Sequence, residues 1–359
     1  MRVLQLIDSL EAGGAERMAV NLANALADHV EASYVCSSRT EGLLKNAIDP
    51  AISYYFLNKR SRFDMLALYK LYQWVRKENI NILHAHSSSF FFGTLIKWMH
   101  PKLKLIWHDH YGQSELLSKR PYKVLQFCSR WFDLVFCVNT KLVTWNTKHL
   151  NTVPIQLLSN FVLPLKEKHR ETHLLGAEGK RIVCLANLRP QKNHLTLLQA
   201  FKEIHGEHPD WTLHLVGKDF GDAYANQIKT FINNERLEES VFLYGSKPDT
   251  DFILSQCEIG VLSSMSEGLP LVLMEYGCNG LAVIATDVGD CKRIIINNHT
   301  GQLIKPSNVK TLSKAIQYYI ENANDRQAAA NQLQKHVQQQ FSKEANIKTL
   351  IQNYSRISS

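Results

Sequence analysis

The sequence predicts an α/β protein made of two doubly wound parallel sheets. Three observations carry that expectation. The chain has 359 residues, too many for one ordinary core. Short apolar runs alternate with amphipathic stretches, first up to about residue 160 and again from residue 181. Such alternation implies parallel strands covered by helices on both faces. Between the two series lies "FVLPLKEKHRETHLLGAEGK", which is polar, charged and without period, and reads as a linker.

The elements follow in order. "RVLQLID" is a buried strand, and "GGAERMAVNLANALADH" is an amphipathic helix with Met18, Leu22 and Leu26 on one face. "ASYVCS", "INILHAH", "KLKLIWH", "DLVFCVN" and "IQLLSN" are further strands. The helices between them are "MLALYKLYQWVRKEN", "FGTLIKWMH", "YKVLQFCSRWF" and "KLVTWNTKHL". After the linker the strands are "RIVCLAN", "WTLHLVG", "VFLYG", "IGVLSS", "AVIATD" and "GQLIK", with helical segments between them and a helical tail from Thr311. The expected domains are residues 1–165 and 172–340, with a helix at about 340–359 packing back on the first. Both are Rossmann-like, and a ligand cleft is expected between the C-terminal edges of their sheets.

Composition excludes several classes. The start is too polar for a signal peptide, since Asp8 and Glu11 interrupt its apolar run. No stretch reaches the roughly 18 apolar residues of a membrane span. Seven cysteines without a Cys-x-x-Cys pair argue against a disulfide framework or a zinc knuckle. A cytoplasmic location is expected, so the sequons at Asn298 and Asn353 carry no weight. Charge is uneven: residues 1–170 hold 22 Lys and Arg against 13 Asp and Glu, and residues 171–359 hold 19 against 20. The first half should therefore meet something anionic. Its basic residues are too scattered for a nucleic-acid site. Lys119, Arg120, Lys123 and Arg130 alternate with Tyr122, Phe127, Trp131 and Phe132, which suits either a membrane interface or an ordinary helix with an aromatic core face.

The segment "SEGLPLVLMEYGCNG" poses a chemical question: Glu267 and Glu275 sit in surroundings apolar enough for a core. A buried carboxylate needs a partner. Pro270 suits the first turn of a helix and Asn279-Gly280 its end. The amides near Leu269, Leu271 and Val272 would then form an anion site at the end of a parallel strand, and Gly268 lets the backbone come close. Two carboxylates roughly 8–12 Å apart flanking that site suit a nucleotide diphosphate sugar. One would hold the sugar, the other the ribose, and the helix N-terminus the diphosphate.

With "AVIATD", "GGAER" and "RPQKNH", this segment resembles family 4 glycosyltransferases, retaining enzymes of the GT-B fold. The resemblance covers nearly the whole chain. It implies transfer of a hexose to an acceptor hydroxyl by front-face attack, the donor phosphate taking the acceptor proton. It implies a metal-independent site and no protein nucleophile. Lys192 would offset charge growing on the leaving diphosphate. The family's Arg five residues earlier is here Asn187, which stays in the donor-binding set; either Arg189 substitutes from a shifted position or the phosphate has one fewer charge on it. Gly13 and Gly14 would lie against donor phosphate and acceptor. His108 and His110 are placed at the sugar, whereas His84 is read as a strand-end residue bonded to backbone. Gly217 and Gly245, which end two strands, complete the donor-binding set. A UDP-sugar is favoured over a GDP-sugar. The acceptor is expected to be lipid-linked or a growing polysaccharide, with peripheral contact to the inner membrane face. A sugar-nucleotide epimerase and a non-catalytic nucleotide-sugar-binding subunit are the alternatives.

Overall fold

The computed structural model describes residues 1–151, 153–163 and 170–358. The chain divides into two compact units, Met1–Leu163 with Lys343–Ser359, and Pro164–Ser342.

The first unit holds a seven-stranded sheet. Its strands are β1 (Arg2–Ser9), β2 (Ala32–Thr40), β3 (Ser53–Phe56), β4 (Ile82–His86), β5 (Lys104–Asp109), β6 (Leu134–Cys137) and β7 (Ile155–Leu157). They pair in parallel in the order β3-β2-β1-β4-β5-β6-β7. The central strands are apolar because both faces are covered: β4 and β6 are buried at every residue. The helices are α1 (Gly14–Leu26), α2 (Met65–Lys77), α3 (Phe90–Met99), α4 (Lys123–Cys128) and α5 (Thr140–His149). Asp64 and Asn139 cap α2 and α5, their side chains accepting the N–H of Ala67 at 3.0 Å and of Leu142 at 2.8 Å. Two details differ from the sequence reading. β3 was not anticipated; it is a four-residue edge strand with no buried residue. The helix expected over Tyr122–Phe132 stops at Cys128, and a 3-10 turn carries the chain through Trp131.

The second unit holds β8 (Arg181–Leu185), β9 (Thr212–Val216), β10 (Val241–Gly245), β11 (Ile259–Leu262), β12 (Ala282–Thr286) and β13 (Gln302–Ile304). Their parallel order is β10-β9-β8-β11-β12-β13. The chain runs outward from β8 to β10, then returns to start again at β11. The strand order thus reverses between β8 and β11, where sheets of this kind open a ligand crevice. The described α-helices of this unit are α6 (His194–His205), α7 (Ala223–Asn234), α8 (Thr250–Leu254), α9 (Leu271–Cys278), α10 (Cys291–Ile294), α11 (Val309–Glu321) and α12 (Ala323–Gln340). The last helix, α13 (Lys343–Ser358), belongs to the first unit, where the Tyr354 hydroxyl meets His84 Nδ1 at 2.6 Å.

Candidate active site

Several of the candidate residues stand on the two loops at the β8–β11 reversal. The loop after β8 carries Asn187, Arg189 and Lys192, and the loop after β11 carries Ser263 to Pro270. One backbone and one side-chain hydrogen bond join the two loops: Met265 N–H donates to the Gln191 carbonyl at 2.7 Å, and Ser263 Oγ to the Lys192 carbonyl at 2.9 Å. Lys192 Nζ then reaches Glu267 Oε1 at 2.6 Å, and Ser264 Oγ donates to the same oxygen at 2.6 Å. Glu267 is only 7% exposed. Its partner is therefore a protein cation, which answers the question its apolar surroundings pose. The Glu267–Gly268 backbone is held from the other side, where Asp290 N–H donates to the Gly268 carbonyl at 2.9 Å. Gly289 sits so close that a Cβ there would lie 2.3 Å from the Glu267 carbonyl oxygen.

α9 begins at Leu271, so Pro270 stands as its N-cap with extended backbone rather than inside the first turn. Leu269 and Leu271 are buried, while Val272 and Glu275 are half-buried. Asn279 and left-handed Gly280 end the helix as the sequence suggests. Asn187 does not act as a cation would: its Oδ1 accepts the Lys218 N–H at 2.8 Å, tying the β8 and β9 loops together. Arg189 is exposed, with its guanidinium 4.9 Å from the Phe220 ring centre, and Lys218 Nζ lies 5.3 Å from the same ring. Gly217, whose N–H donates to the Gly245 carbonyl at 2.9 Å, is required by close approach. A Cβ there would lie 2.2 Å from the Ala186 carbonyl oxygen. Sequence reading missed Ser264 and Lys218. The signal for Lys218 was present: a cation directly after the glycine that ends a strand.

In the first unit Gly13 caps α1 with extended backbone and Gly14 opens the helix. Four histidines stack at the ends of β4 and β5. His84 and His86 rings lie 4.7 Å apart, His86 and His110 5.2 Å, and His108 and His110 4.0 Å. His86 shares hydrogen bonds with Gln5 at 2.8 Å and His110 at 3.0 Å. His84 bonds to Tyr354 rather than to backbone. His108 is 0% exposed and neither of its ring nitrogens has a described partner. It lies beneath His110, which lines a cavity of about 930 Å³. Burial pushes His84 and His110 down to about 3 and holds His86 and His108 well below the ordinary histidine range. The ligand atoms of His84, His86 and His108 come within 4.8 Å of one another. The His84 and His86 rings, however, stack at 14°, so their in-plane lone pairs run side by side instead of converging on an ion.

The same cavity is lined by Asp8 and Lys59, which sequence reading did not assign to a site, by Asp109, which it placed at a strand end near the histidines, and by Arg120, which it placed in the candidate membrane-interface segment. Arg120 grips Asp109 through two bonds of 2.7 and 2.9 Å, and Asn146 adds a third at 2.8 Å. Asp8 binds Ser88 at 2.7 Å and Lys59 at 3.3 Å. Burial pushes the Asp8 carboxyl up, but Ser38, Lys59 and Ser88 outweigh it and hold it below the ordinary range.

Two family descriptions match the chain: Glycosyltransferase Family 4 over residues 12–163 and Glycosyl transferases group 1 over residues 166–336. The chain belongs to the family 4 glycosyltransferases. It is 24% identical over 322 residues to an uncharacterised glycosyltransferase of Haemophilus influenzae, covering 87% of this chain and 88% of that one. It is also 24% identical over 301 residues, 77% of each chain, to the Escherichia coli UDP-Gal:alpha-D-GlcNAc-diphosphoundecaprenol alpha-1,3-galactosyltransferase. The fold is that of Anabaena Alr3699/HepE in complex with UDP-glucose, with a TM-score of 0.79 at 17% identity over 99% of this chain and all of that one. Staphylococcus aureus TarM superposes with a TM-score of 0.78 at 13% identity over the full length of both. This family 4 enzyme is thus a glycosyltransferase with two parallel α/β sheets of the GT-B type.

Proposed function

We propose that this glycosyltransferase moves a hexose from a UDP-sugar to a hydroxyl of a lipid-linked or growing polysaccharide acceptor, with retention of configuration. The observation that carries the proposal is the Lys192–Glu267 pair at the strand-order reversal, beside the Gly217–Lys218 turn. The HepE complex with UDP-glucose and the galactosyltransferase named for a UDP-Gal donor and a diphosphoundecaprenol acceptor support donor and acceptor class. The second unit would hold the donor and the first the acceptor.

In this reading Lys192 meets the diphosphate and stabilises charge that grows there as the glycosidic bond breaks. Glu267, already bonded to Lys192, orients that ammonium and offers its second oxygen to a sugar hydroxyl. Glu275, inside α9, accepts from the ribose hydroxyls, and the α9 N-terminus and Gly268 receive the diphosphate. Arg189 and Lys218 supply further positive charge. Because Asn187 is occupied by backbone, it does not replace the family's cation. His110 would bond a sugar hydroxyl and His108 would support it, as the family resemblance suggests; the supporting observation is that His110 lines the first unit's cavity with its ring 4.0 Å from that of His108. The acceptor oxygen attacks the anomeric carbon on the face the diphosphate leaves, and a donor phosphate oxygen takes its proton.

The experiment is thermal protection by UDP-, GDP- and ADP-sugars. A true donor at 100 times its Kd should stabilise by about 2.7 kcal/mol. Glu275→Ala should weaken that donor by about tenfold or more, for loss of a charged hydrogen bond worth roughly 1.5–3 kcal/mol. Unchanged nucleotide affinity in the variant would remove the ribose role, and an inverted anomer in the product would remove retention.

A further inference from the structure

A second cavity, of about 490 Å³, lies in the first unit between α5 and the 3-10 segment Ser114–Lys119. Small-molecule sites run from about 300 to 1,000 Å³. Only Arg120 and Tyr122 are shared with the larger cavity described above. Lys141, Thr144, Trp145, Lys148 and His149 form one wall because they recur at i, i+3, i+4, i+7 and i+8 of a single helix. Ring contacts fix that wall. His149 stacks on Trp145 at 4.5 Å and 21°, and Tyr122 stands edge-on to His149 at 4.9 Å and to Trp145 at 6.2 Å. The Trp145 indole N–H donates to the Leu117 carbonyl at 3.1 Å and ties the helix to the 3-10 segment. Arg120, with a side chain 8% exposed, holds its guanidinium 4.4 Å from the Trp145 ring centre.

The polar groups of this lining indicate what it takes. No Asp or Glu is among its described residues. Two of its cations are already engaged, Arg120 with Asp109 and Lys141 with Glu115, each at 2.7 Å. Lys148 is exposed in the last turn of α5 and has no hydrogen bond or ion pair among the described residues. The Ser118 and Tyr122 hydroxyls have no hydrogen bond among the described residues either. The pocket thus offers three uncommitted donors and no acid to answer them. It offers acceptors as well. His149 Nδ1 is 2.8 Å from the Trp145 carbonyl oxygen, which can only accept, so Nδ1 carries the hydrogen. Nε2 is then the open acceptor of the neutral ring. Thr144, whose hydroxyl donates to the Thr140 carbonyl at 3.1 Å, keeps its own oxygen as an acceptor.

We propose that this pocket is a second ligand site and that it takes a phosphorylated sugar. A phosphate monoester carries a charge of about −1.5 to −2 at neutral pH and three acceptor oxygens, which match the Lys148 ammonium and the Ser118 and Tyr122 hydroxyls. A carboxylate, with two oxygens and a single charge, would leave a donor unanswered. The sugar hydroxyls donate to His149 Nε2 and to Thr144, and the apolar face of the sugar ring lies against Leu117 and the Tyr122 ring. Arg120 and Lys141, although paired, add to the field that draws the anion in. The pocket contains none of the residues assigned to the donor, so it stands apart from that reading.

The test is titration calorimetry on the full chain, with and without saturating UDP, using glucose 6-phosphate, inorganic phosphate, glucose and glucuronate as probes. The variants are Ser118→Ala/Lys148→Met, Lys148→Arg and Thr144→Trp, with circular dichroism melting to verify folding. Glucose 6-phosphate should bind the parent chain equally in both conditions, and about tenfold or more tightly than the other probes, for the hydrogen bonds each of them lacks. Ser118→Ala/Lys148→Met should lose about tenfold or more, for one charged and one neutral hydrogen bond. Lys148→Arg should retain binding, and Thr144→Trp, which puts an indole into the pocket, should abolish it. Equal affinity in the parent and in Ser118→Ala/Lys148→Met would overturn the site. So would loss of glucose 6-phosphate binding in saturating UDP, which would move the ligand to the donor crevice. Inorganic phosphate binding as tightly as glucose 6-phosphate would overturn the sugar site and leave a free-phosphate site, and equally tight glucuronate would overturn the choice of phosphate. Failure of UDP itself to bind, with the glucose 6-phosphate results intact, would sink the donor reading and leave this proposal standing.

Discussion

Replacing Lys192 by Met removes the cation that faces Glu267 at 2.6 Å. Among the described residues the carboxylate then keeps the Ser264 hydroxyl, in a position where the Glu267 side chain is 9% exposed. Breaking a fully buried pair costs about 3–5 kcal/mol, whereas exposed pairs are worth about 0.2–1. The Lys192 side chain is 23% exposed, so water screens part of the interaction. A loss of about 2 kcal/mol is expected in urea unfolding without ligand. Glu267→Gln should cost less, because an amide needs no counter-charge, and the double variant should fall short of the sum by about 1–2 kcal/mol. With donor present a second effect appears. Charge on the diphosphate grows in the transition state, so Lys192→Met should lower kcat by about a hundredfold and donor affinity much less. A coupling below about 0.5 kcal/mol, which is within the additivity of independent sites, together with normal turnover at saturating donor, would refute the reasoning and make Lys192 a bystander.

The histidine stack gives a pH signature. Its members are held below the ordinary value of about 6.5, so between about pH 3 and 6.5 the unfolded chain binds more protons than the folded one, and stability falls as pH falls through that window. Each extra proton contributes about 1.4 kcal/mol per pH unit, and His84→Gln should flatten the melting-temperature profile below pH 6 while leaving it unchanged at pH 8. An identical slope in the variant would show that other groups set it. Gly289→Ala should destabilise the second unit and weaken donor binding together, because Gly289 has φ +55° and its Cβ would strike the Glu267 carbonyl; normal donor affinity would show that this backbone is not part of the site. Arg189→Ala and Lys218→Ala, compared in donor titrations, decide which cation stands in for the one absent at Asn187. Loss confined to Lys218→Ala would remove Arg189 from that role.

Much of this protein was legible in its residues. Central parallel strands are covered on both faces and read as apolar runs, so both sheets could be counted before any coordinates. β3 escaped because a short, half-exposed edge strand has no such run. Glu267, Lys192 and the glycines at the ends of β9 and β10 stood out because they fall at the C-terminal ends of parallel strands, where ligands of such sheets bind. Their partnership was not readable, since Lys192 and Glu267 are 75 residues apart. It exists because β11 pairs with β8 and brings their loops together. The histidines show the same division. Alternation along a strand puts His84 with His86, and His108 with His110, on one face each. Only the β4–β5 register, with His86 opposite His108, makes one stack of them, with His84, His86 and His108 buried and His110 at the cavity wall. The sequence alone determined the element types, the strand-end chemistry and the basic first half, because periodicity and residue type act locally. The tertiary structure decided which charges meet, which histidines lose water and which aromatics stay exposed, because those depend on strand order, register and burial.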